Sequence, residues 1–476
     1  MERAEGRLWP AVTLTLLAGG CSFAPTLKTP EVPTGGAYKE SGPWTQAQPA
    51  DRLPRDNWWA LYGSAELEDL QKQLITGNPT LAAAFANYAQ ARAMADQARA
   101  GLFPTLGLNA SVGRQRESVN APLRGPTTPT YFDTNTLGGT VSYELDLWGQ
   151  IRNEVAAGEA NAAASAADLE NARLSLIAQL VDDYIQLRSL DRNSAILDDT
   201  VKAYVRALSL TEQRHNAGIA AGLDVSQAQT QLESTRSLAA QTLAQRALME
   251  HAIAALLGVS ASTFSIEPAI VDIELPHIPS GIPTTLLQRR PDIAGAQRRM
   301  IAANANIGVA RAAYFPTLTL GAQGGFQSTS FSNWLSAPSS FWAIGPNALL
   351  TVFDGGLRRA QVAQARAEFD ASAANYRGVV VSAFQQVEDS LASLNHYYDA
   401  DVEEQAAVDA AQRTLNLSMA LYRQGATDYL TVITSQTALL QAQLQALTLD
   451  TLQLHASVDL IRALGGGWED SAGSAP

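Results

Sequence analysis

The strongest constraint on this chain is that it carries one text twice. Asn78-Pro79-Thr80-Leu81 opens an Ala-rich segment ending at Leu102-Phe103-Pro104-Thr105-Leu106, and Arg290-Pro291-Asp292-Ile293 opens another ending at Tyr314-Phe315-Pro316-Thr317-Leu318. Both prolines recur at one offset (291 − 79 = 316 − 104 = 212). Further on, Trp148-Gly149-Gln150-Ile151-Arg152 is answered by Asp354-Gly355-Gly356-Leu357-Arg358. Gly218 with Leu223-Asp224-Val225 is answered by Gly425 with Leu430-Thr431-Val432, at an offset of 425 − 218 = 207. A tandem duplication makes each half one copy of the same supersecondary unit, here helix, strand pair, long helix, turn and helix. The 476 residues therefore form two halves of one architecture, although length alone allows about three domains.

Within each unit the hydrophobic period changes in a fixed order. Pro79 to Leu102 starts with a proline suited to a first helical turn and predicts a helix of about 24 residues. Beyond Pro104 the period drops to two: Leu106, Leu108, Ala110 and Val112 alternate with Gly107, Asn109, Ser111 and Gly113, which predicts a strand with unlike faces. Val141, Tyr143, Leu145 and Leu147 alternate in the same way, after a loop marked by Pro122, Gly125, Pro126 and Pro129. The second half repeats this with Leu318, Leu320 and Ala322, a loop through Ser328 to Ser340, and a strand ending at Phe353. From Gly149 to His215 only Gly158 interrupts a run without glycine or proline, long enough for a helix of about 100 Å. Its apolar residues, among them Leu176, Leu180, Tyr184, Leu187, Leu190, Leu197, Val201, Tyr204 and Leu208, step by threes and fours, as do Tyr376, Val380, Phe384, Val387, Leu391 and Leu394. That spacing belongs to a coiled-coil seam.

These signals divide the chain as follows. Residues 1–20 read as a lipoprotein signal peptide and 21–56, rich in proline, as an extended strap. Residues 57–258 are the first repeat, with a strand pair at about 104–148 and a helical hairpin over 149–258. A linker over 259–283 leads to the second repeat, 284–464, with strands at about 316–354 and a hairpin over 355–464, before a tail at 465–476.

Composition narrows the function classes. A net charge of −13 leaves no basic field for duplex binding, so no nucleic-acid partner is expected. His215, His251, His277, His396 and His455 show no metal-ligand pairing, and neither a phosphate loop nor a nucleophile elbow occurs. The reading is of a protein that is not an enzyme and has no metal or cofactor. Cys21 is the only cysteine. The apolar run Leu8 to Gly20, closed by Leu17-Ala18-Gly19-Gly20-Cys21, resembles a bacterial lipoprotein cleavage site. That resemblance implies a covalent lipid on Cys21, with Ser22 after it directing the protein to the outer membrane. No later stretch approaches the roughly 18 to 20 consecutive apolar residues of a spanning helix.

Four two-faced strands cannot close a membrane barrel, whose smallest single-chain forms have about eight, and open edges are intolerable in lipid. Copies of the chain must pool their strands. Two copies would give about eight strands filled by side chains, and three about twelve, wide enough for a lumen. The rods pose the same problem, because a narrow apolar seam on a polar helix needs neighbours on each side while one face stays wet.

Trp58-Trp59, Asn78-Pro79, Asp146-Leu147-Trp148-Gly149-Gln150-Ile151-Arg152, Arg290-Pro291-Asp292-Ile293, Ala303-Asn304-Ala305-Asn306-Ile307-Gly308, Phe315-Pro316-Thr317 and Phe353-Asp354-Gly355-Gly356 resemble the TolC-type outer-membrane factors. Within these, they resemble the acylated OprM/NodT-like branch that serves multidrug pumps. The resemblance implies a mainly α chain with a transmembrane β-barrel and a long periplasmic coiled-coil α-barrel, closed as a homotrimer of twelve strands and twelve helices. It also implies a girdle at the linker, and docking to a periplasmic adaptor protein and an inner-membrane efflux transporter. The lipid-anchored protein would project from the outer membrane into the periplasm as a passive exit duct for drugs or other small solutes.

In such ducts the helical barrel narrows near the helix turns. Asp224 falls where the family places a constriction carboxylate, six residues after Gly218 (224 − 218). Thr431 and Thr434 stand where acids occur in relatives, so an acidic ring would rest on Asp224 with Asp428, whose simpler role is capping a helix. A latch of Tyr422 and Arg423 with these acids is the accompanying hypothesis. Gly218-Ile219-Ala220 and Gly425-Ala426-Thr427 are the tips that the resemblance assigns to adaptor contact. The alternatives are an acylated coiled-coil envelope stalk or adhesin without a lumen, and a duct serving metal efflux or type I protein secretion.

Overall fold

The computed structural model describes residues 22–31, 38–40, 57–120, 125, 127, 129–276, 278 and 290–466. Cys21, the signal segment, His277, most of the strap, the end of the linker and the tail from 467 lie outside them. Two compact units are interleaved along the chain, one of residues 1–30, 89–165 and 296–375, the other of 31–88, 166–295 and 376–476.

The first unit holds all four strands: β1 (Thr105–Arg116), β2 (Tyr131–Glu144), β3 (Thr317–Ser328) and β4 (Ser340–Leu349). They form one antiparallel sheet in the order β1-β2-β3-β4. Side chains alternate across a strand, so the register decides which rows share a face. Leu108 pairs with Gly139, Gly139 with Gly324 and Gly324 with Trp342, while Leu106, Val141, Ala322 and Ile344 make the next row. On the opposite face, Gly107 lies against Thr140 and Gln323, and Ser111 against Thr136 and Gln327. The duplication thus produces one sheet with an apolar face and a polar face. Large side chains of the apolar face are uncovered: Leu106 and Leu108 are each 82% exposed and Trp342 is 79% exposed. The outer edges of β1 and β4 have no ladder partner among the described residues.

β4 stops at Leu349, short of the Phe353 that alternation predicts. Its last partner is Thr317, and the residue before that is Pro316, which has no N–H to extend the ladder. Residues 350–356 turn away instead, and the Arg358 guanidinium takes up the freed Thr351 carbonyl.

The helices of this unit approach closely because their contact faces are small. α2 (Pro79–Ala100), α3 (Gln150–Asn216), α5 (Pro291–Ala312) and α6 (Leu357–Gln424) contribute segments to it. Ala157 and Ala160 pack on Ala302 and Ala305, and a methyl on Gly158 would sit 3.2 Å from the Ala95 Cα. α3 and α6 start alike, after Gly149 and Gly356 in left-handed conformation (φ 73° and 96°). Asp146 accepts from the Arg152 N–H and guanidinium (2.9 and 3.0 Å), and Asp354 from those of Arg358 (3.2 and 2.6 Å). The arginines align in the repeat; the acid reaches its arginine from six residues away in one half and four in the other.

The second unit contains α1 (Ala65–Gly77), α4 (Gly222–Leu257), α7 (Tyr429–Ala463) and the remaining lengths of α3 and α6. The predicted seams are its core: Leu180, Tyr184, Leu187, Leu190 and Leu197 of α3 are buried, as are Val380, Val387, Leu391 and Leu394 of α6. A charged network lies among them. Asp191 pairs with Arg188 and Arg246, each at 2.6 Å, Arg188 also meets Glu66, and Arg246 meets Glu250 at 2.6 Å. The same groups hold the linker's backbone: Arg246 donates to the Ile266 carbonyl (2.6 Å), Arg188 to that of Glu267 (3.0 Å), and the Ala269 N–H to Asp191 (3.2 Å). A buried charge array of this kind is tolerable only because each member is paired.

Candidate functional site

The candidate site is built at the ends of the two helical hairpins, where α3 turns into α4 and α6 into α7. Both turns close in the same manner. Gly218 and Gly425 have φ of 71° and 76°, and the residue after each donates back across the turn, Ile219 N–H to the Arg214 carbonyl (2.8 Å) and Ala426 N–H to that of Leu421 (2.9 Å). Only glycine takes this left-handed position without strain, which is why both repeats carry it. Gly218, Ile219, Gly425 and Ala426 are exposed, with Ala220 and Thr427 half-buried.

The acids near the turns differ in what they do. Asp428 caps α7, accepting from the Thr431 N–H (3.0 Å) and hydroxyl (2.7 Å), and these bonds hold its carboxyl below the usual range. Thr434 turns its hydroxyl back to the Leu430 carbonyl at 3.1 Å, as threonine does within helices. Asp224, in the first turn of α4, is half-buried and its carboxylate has no side-chain partner among the described residues. Of the two acids singled out at the turns, it is the one whose carboxylate is not engaged in capping.

Tyr422 is only 3% exposed. Its neighbours are not the acids of the expected latch: the Arg214 guanidinium stands 4.6 Å over its ring, Tyr429 lies 5.2 Å away, and its hydroxyl donates to Thr211 at 3.4 Å. Burial pushes the Tyr429 hydroxyl up to about 12, against a hydrogen bond with Thr211 that lowers it. Arg423 is exposed, and its carbonyl accepts from Arg214 at 3.3 Å. Arg214 therefore joins the two turns within one chain. Reasoning from the repeat passes over it because its counterpart at the 207-residue offset is Leu421; the asymmetry itself was the signal.

Among the described residues no group of three or more His, Cys, Asp or Glu is placed to hold a metal ion, and no helix is long and apolar enough to cross a membrane.

The profile of the Outer membrane efflux protein family matches residues 70–259 and 282–466, most of both repeats. The chain belongs to that family. It is 32% identical over 468 residues to the toluene efflux pump outer membrane protein TtgC of Pseudomonas putida, a match covering 98% of this chain and 96% of the relative. It is 30% identical to the outer membrane protein OprJ of Pseudomonas aeruginosa over 464 residues, 97% of this chain and 96% of the relative. Among solved structures, the outer-membrane channel OprN superposes with a TM-score of 0.87 at 29% identity, covering 94% of this chain and 100% of that one. The CmeC channel of Campylobacter jejuni gives 0.89 at 25% identity, covering 95% and 96%. Membership makes this chain an outer-membrane efflux channel protein, and it accounts for the sheet: a strand array with an apolar outer face is what a channel wall presents to lipid.

Proposed function

We propose that three copies of this chain close into one duct, twelve strands in the outer membrane and twelve helices in the periplasm, and that it releases small organic solutes handed on by a periplasmic adaptor and an inner-membrane transporter. The observation that carries this reading is the pair of open sheet edges. β1 and β4 have 12 and 10 residues, and unpaired backbone of that length costs several kcal/mol per group in hydrocarbon. Pairing β1 of each copy with β4 of the next removes every edge only when the ring closes. Strands of about 12 residues, about 40 Å long and tilted by about 45°, span about 28 Å, the thickness of a bilayer core. A stalk without a lumen has no use for the polar inner rows of Ser111, Thr136 and Gln327.

A lipid on Cys21 would anchor the same rim. Support comes from the residues that follow it: Ser22 donates to Asn153 (3.0 Å), and Phe23 stacks on Phe315 at 4.6 Å, which stacks on Trp148 at 4.8 Å next to the ends of β2 and β3.

The aperture is assigned to the hairpin tips, with Asp224 from each copy as the constricting charge and the turns at Gly218 and Gly425 as the surface the adaptor meets. Asp224→Asn keeps shape and removes three charges from the ring. In planar bilayers it is expected to weaken block by a trivalent cation at least tenfold while leaving trimers intact. Unchanged block would remove Asp224 from the aperture.

A further inference from the structure

In the first unit, residues 22–25 run along α5. Asn304, Gly308 and Arg311 stand at i, i+4 and i+7 and so share one face of that helix. The Arg311 guanidinium donates to the Phe23 carbonyl (3.1 Å) and the Asn304 amide to the Pro25 carbonyl (2.9 Å). Between these two donors the glycine leaves room: a Cβ on Gly308 would stand 2.9 Å from the Ala24 nitrogen and 2.6 Å from the Asn153 amide nitrogen. Asn153, buried on α3, accepts from the Ser22 hydroxyl (3.0 Å) and donates to the Gly149 carbonyl (2.6 Å). Side chains that bind main-chain carbonyls, with a gap that admits a main chain, make a seat for an extended peptide. A tether that only had to reach from a membrane to the first helix would need no such seat.

The seated peptide delivers one ring. Phe23 lies flat on Phe315 (4.6 Å between centroids, 5° between planes), and Phe315 lies in turn on Trp148 (4.8 Å, 25°). Phe315 comes just before Pro316 and the start of β3, and Trp148 follows the end of β2. The roots of these two central strands are tied to each other twice, by the Leu145 N–H to the Leu318 carbonyl (2.8 Å) and by the Trp148 indole N–H to the Pro316 carbonyl (2.8 Å). Even under Phe23, Phe315 is 38% exposed. Phe23 is therefore its cover among the described residues, and without it the side of the stack away from Trp148 is bare.

We propose that residues 22–25 are a removable staple on the channel wall. Seated along α5, they press Phe315 onto Trp148 and hold the roots of β2 and β3 together; unseated, they release them. The occupant of the seat is this chain's own N-terminal segment, and the flat ring at position 23 is what the stack selects. Firmness of the wall is then set by the segment that follows Cys21 directly, so a lipid on that cysteine would keep the staple close to its seat and raise its effective concentration there. The inference rests on the sheet being the wall of the duct proposed above.

The test uses the full-length protein in a nonionic detergent and reads two quantities: the rate at which chymotrypsin cuts between Phe23 and Ala24, followed by mass spectrometry, and the temperature at which the assembly dissociates. The parent should resist the cut. Gly308→Val closes the path of the peptide, Asn304→Ala with Arg311→Ala removes the two carbonyl donors without adding bulk, and Phe23→Leu keeps the backbone contacts but loses the flat ring. The first two should speed the cut at least tenfold, and all three should lower the dissociation temperature by about 5 °C. Phe23→Leu added to Gly308→Val should lower it no further than Gly308→Val alone, because an unseated ring has no stack left to lose. Cutting no faster than in the parent, a dissociation temperature unmoved while cutting speeds up, or losses that add in the combined variant overturns the staple, while normal conductance in planar bilayers leaves the duct standing. A parent that stays a single chain, and whose own melting falls in the same pattern, removes the duct and keeps the staple.

Discussion

Ala110 and Ser111 are consecutive, small, and at the middle of β1, yet the register sets them on opposite faces: Ala110 opposite Leu137 in an apolar row, Ser111 opposite Thr136 in a polar one. Arginine at each position therefore separates the two faces with depth and size held constant. An arginine on the lipid side of a barrel at mid-depth costs about 2–4 kcal/mol. Three copies in a ring bring this to about 6–12 kcal/mol per assembly, comparable with the whole stability of a domain. Ser111→Arg instead places three guanidinium groups in the aqueous bore, where they keep their hydration. The assay is urea unfolding of the assembled protein in lipid vesicles, with conductance recorded in parallel. Ala110→Arg should fail to assemble or lose several molar in midpoint; Ser111→Arg should unfold like the parent and conduct cations less well. Equal destabilisation by both substitutions would refute the assignment of faces, and with it the reading of the sheet as a membrane wall.

Three further outcomes follow from the side-chain geometry. Asp354 is held at about 2, below its ordinary 3.8, by the Arg358 side chain and the N–H groups of Gly356 and Arg358; a depressed carboxyl stabilises above its unfolded value and loses that contribution as pH falls from about 4 to about 2. Asp354→Asn should therefore flatten the acid limb of a thermal-melting profile between pH 5 and 2, and an unaltered limb would show that the cap contributes nothing. Asp191→Leu removes the buried carboxylate that Arg188 and Arg246 share, leaving them only Glu66 and Glu250, and should cost about 3 kcal/mol in urea unfolding, with a loss under about 1 kcal/mol contradicting the network. Arg214→Ala removes the link from α3 to the Arg423 carbonyl and the Tyr422 ring, and should raise single-channel conductance; a conductance equal to that of the parent means the clasp does not restrain the tips.

The features legible in the sequence are those fixed by local spacing. A two-residue period over Leu106 to Val112, a three-and-four period over Leu180 to Tyr204, and glycines at 218 and 425 each dictate backbone geometry within a few residues, and the elements appear at those places. What could not be read depends on contacts between distant segments. β4 ends early because of Pro316, about thirty residues before it in the chain. Whether Asp428 caps or lines a bore turns on the Thr431 hydroxyl, which swings to it. Arg214 gains its role only when α3 and α6 bring their turns together. Spacing within one segment carries no trace of these meetings.

Native mass spectrometry of the protein released from nonionic detergent measures the copy number of the closed assembly, on which barrel, bore and aperture all depend. Three chains per particle, persisting at nanomolar concentration, is the predicted result. A stable single chain, or a particle of two, would leave the edges of β1 and β4 without the partners that the channel requires.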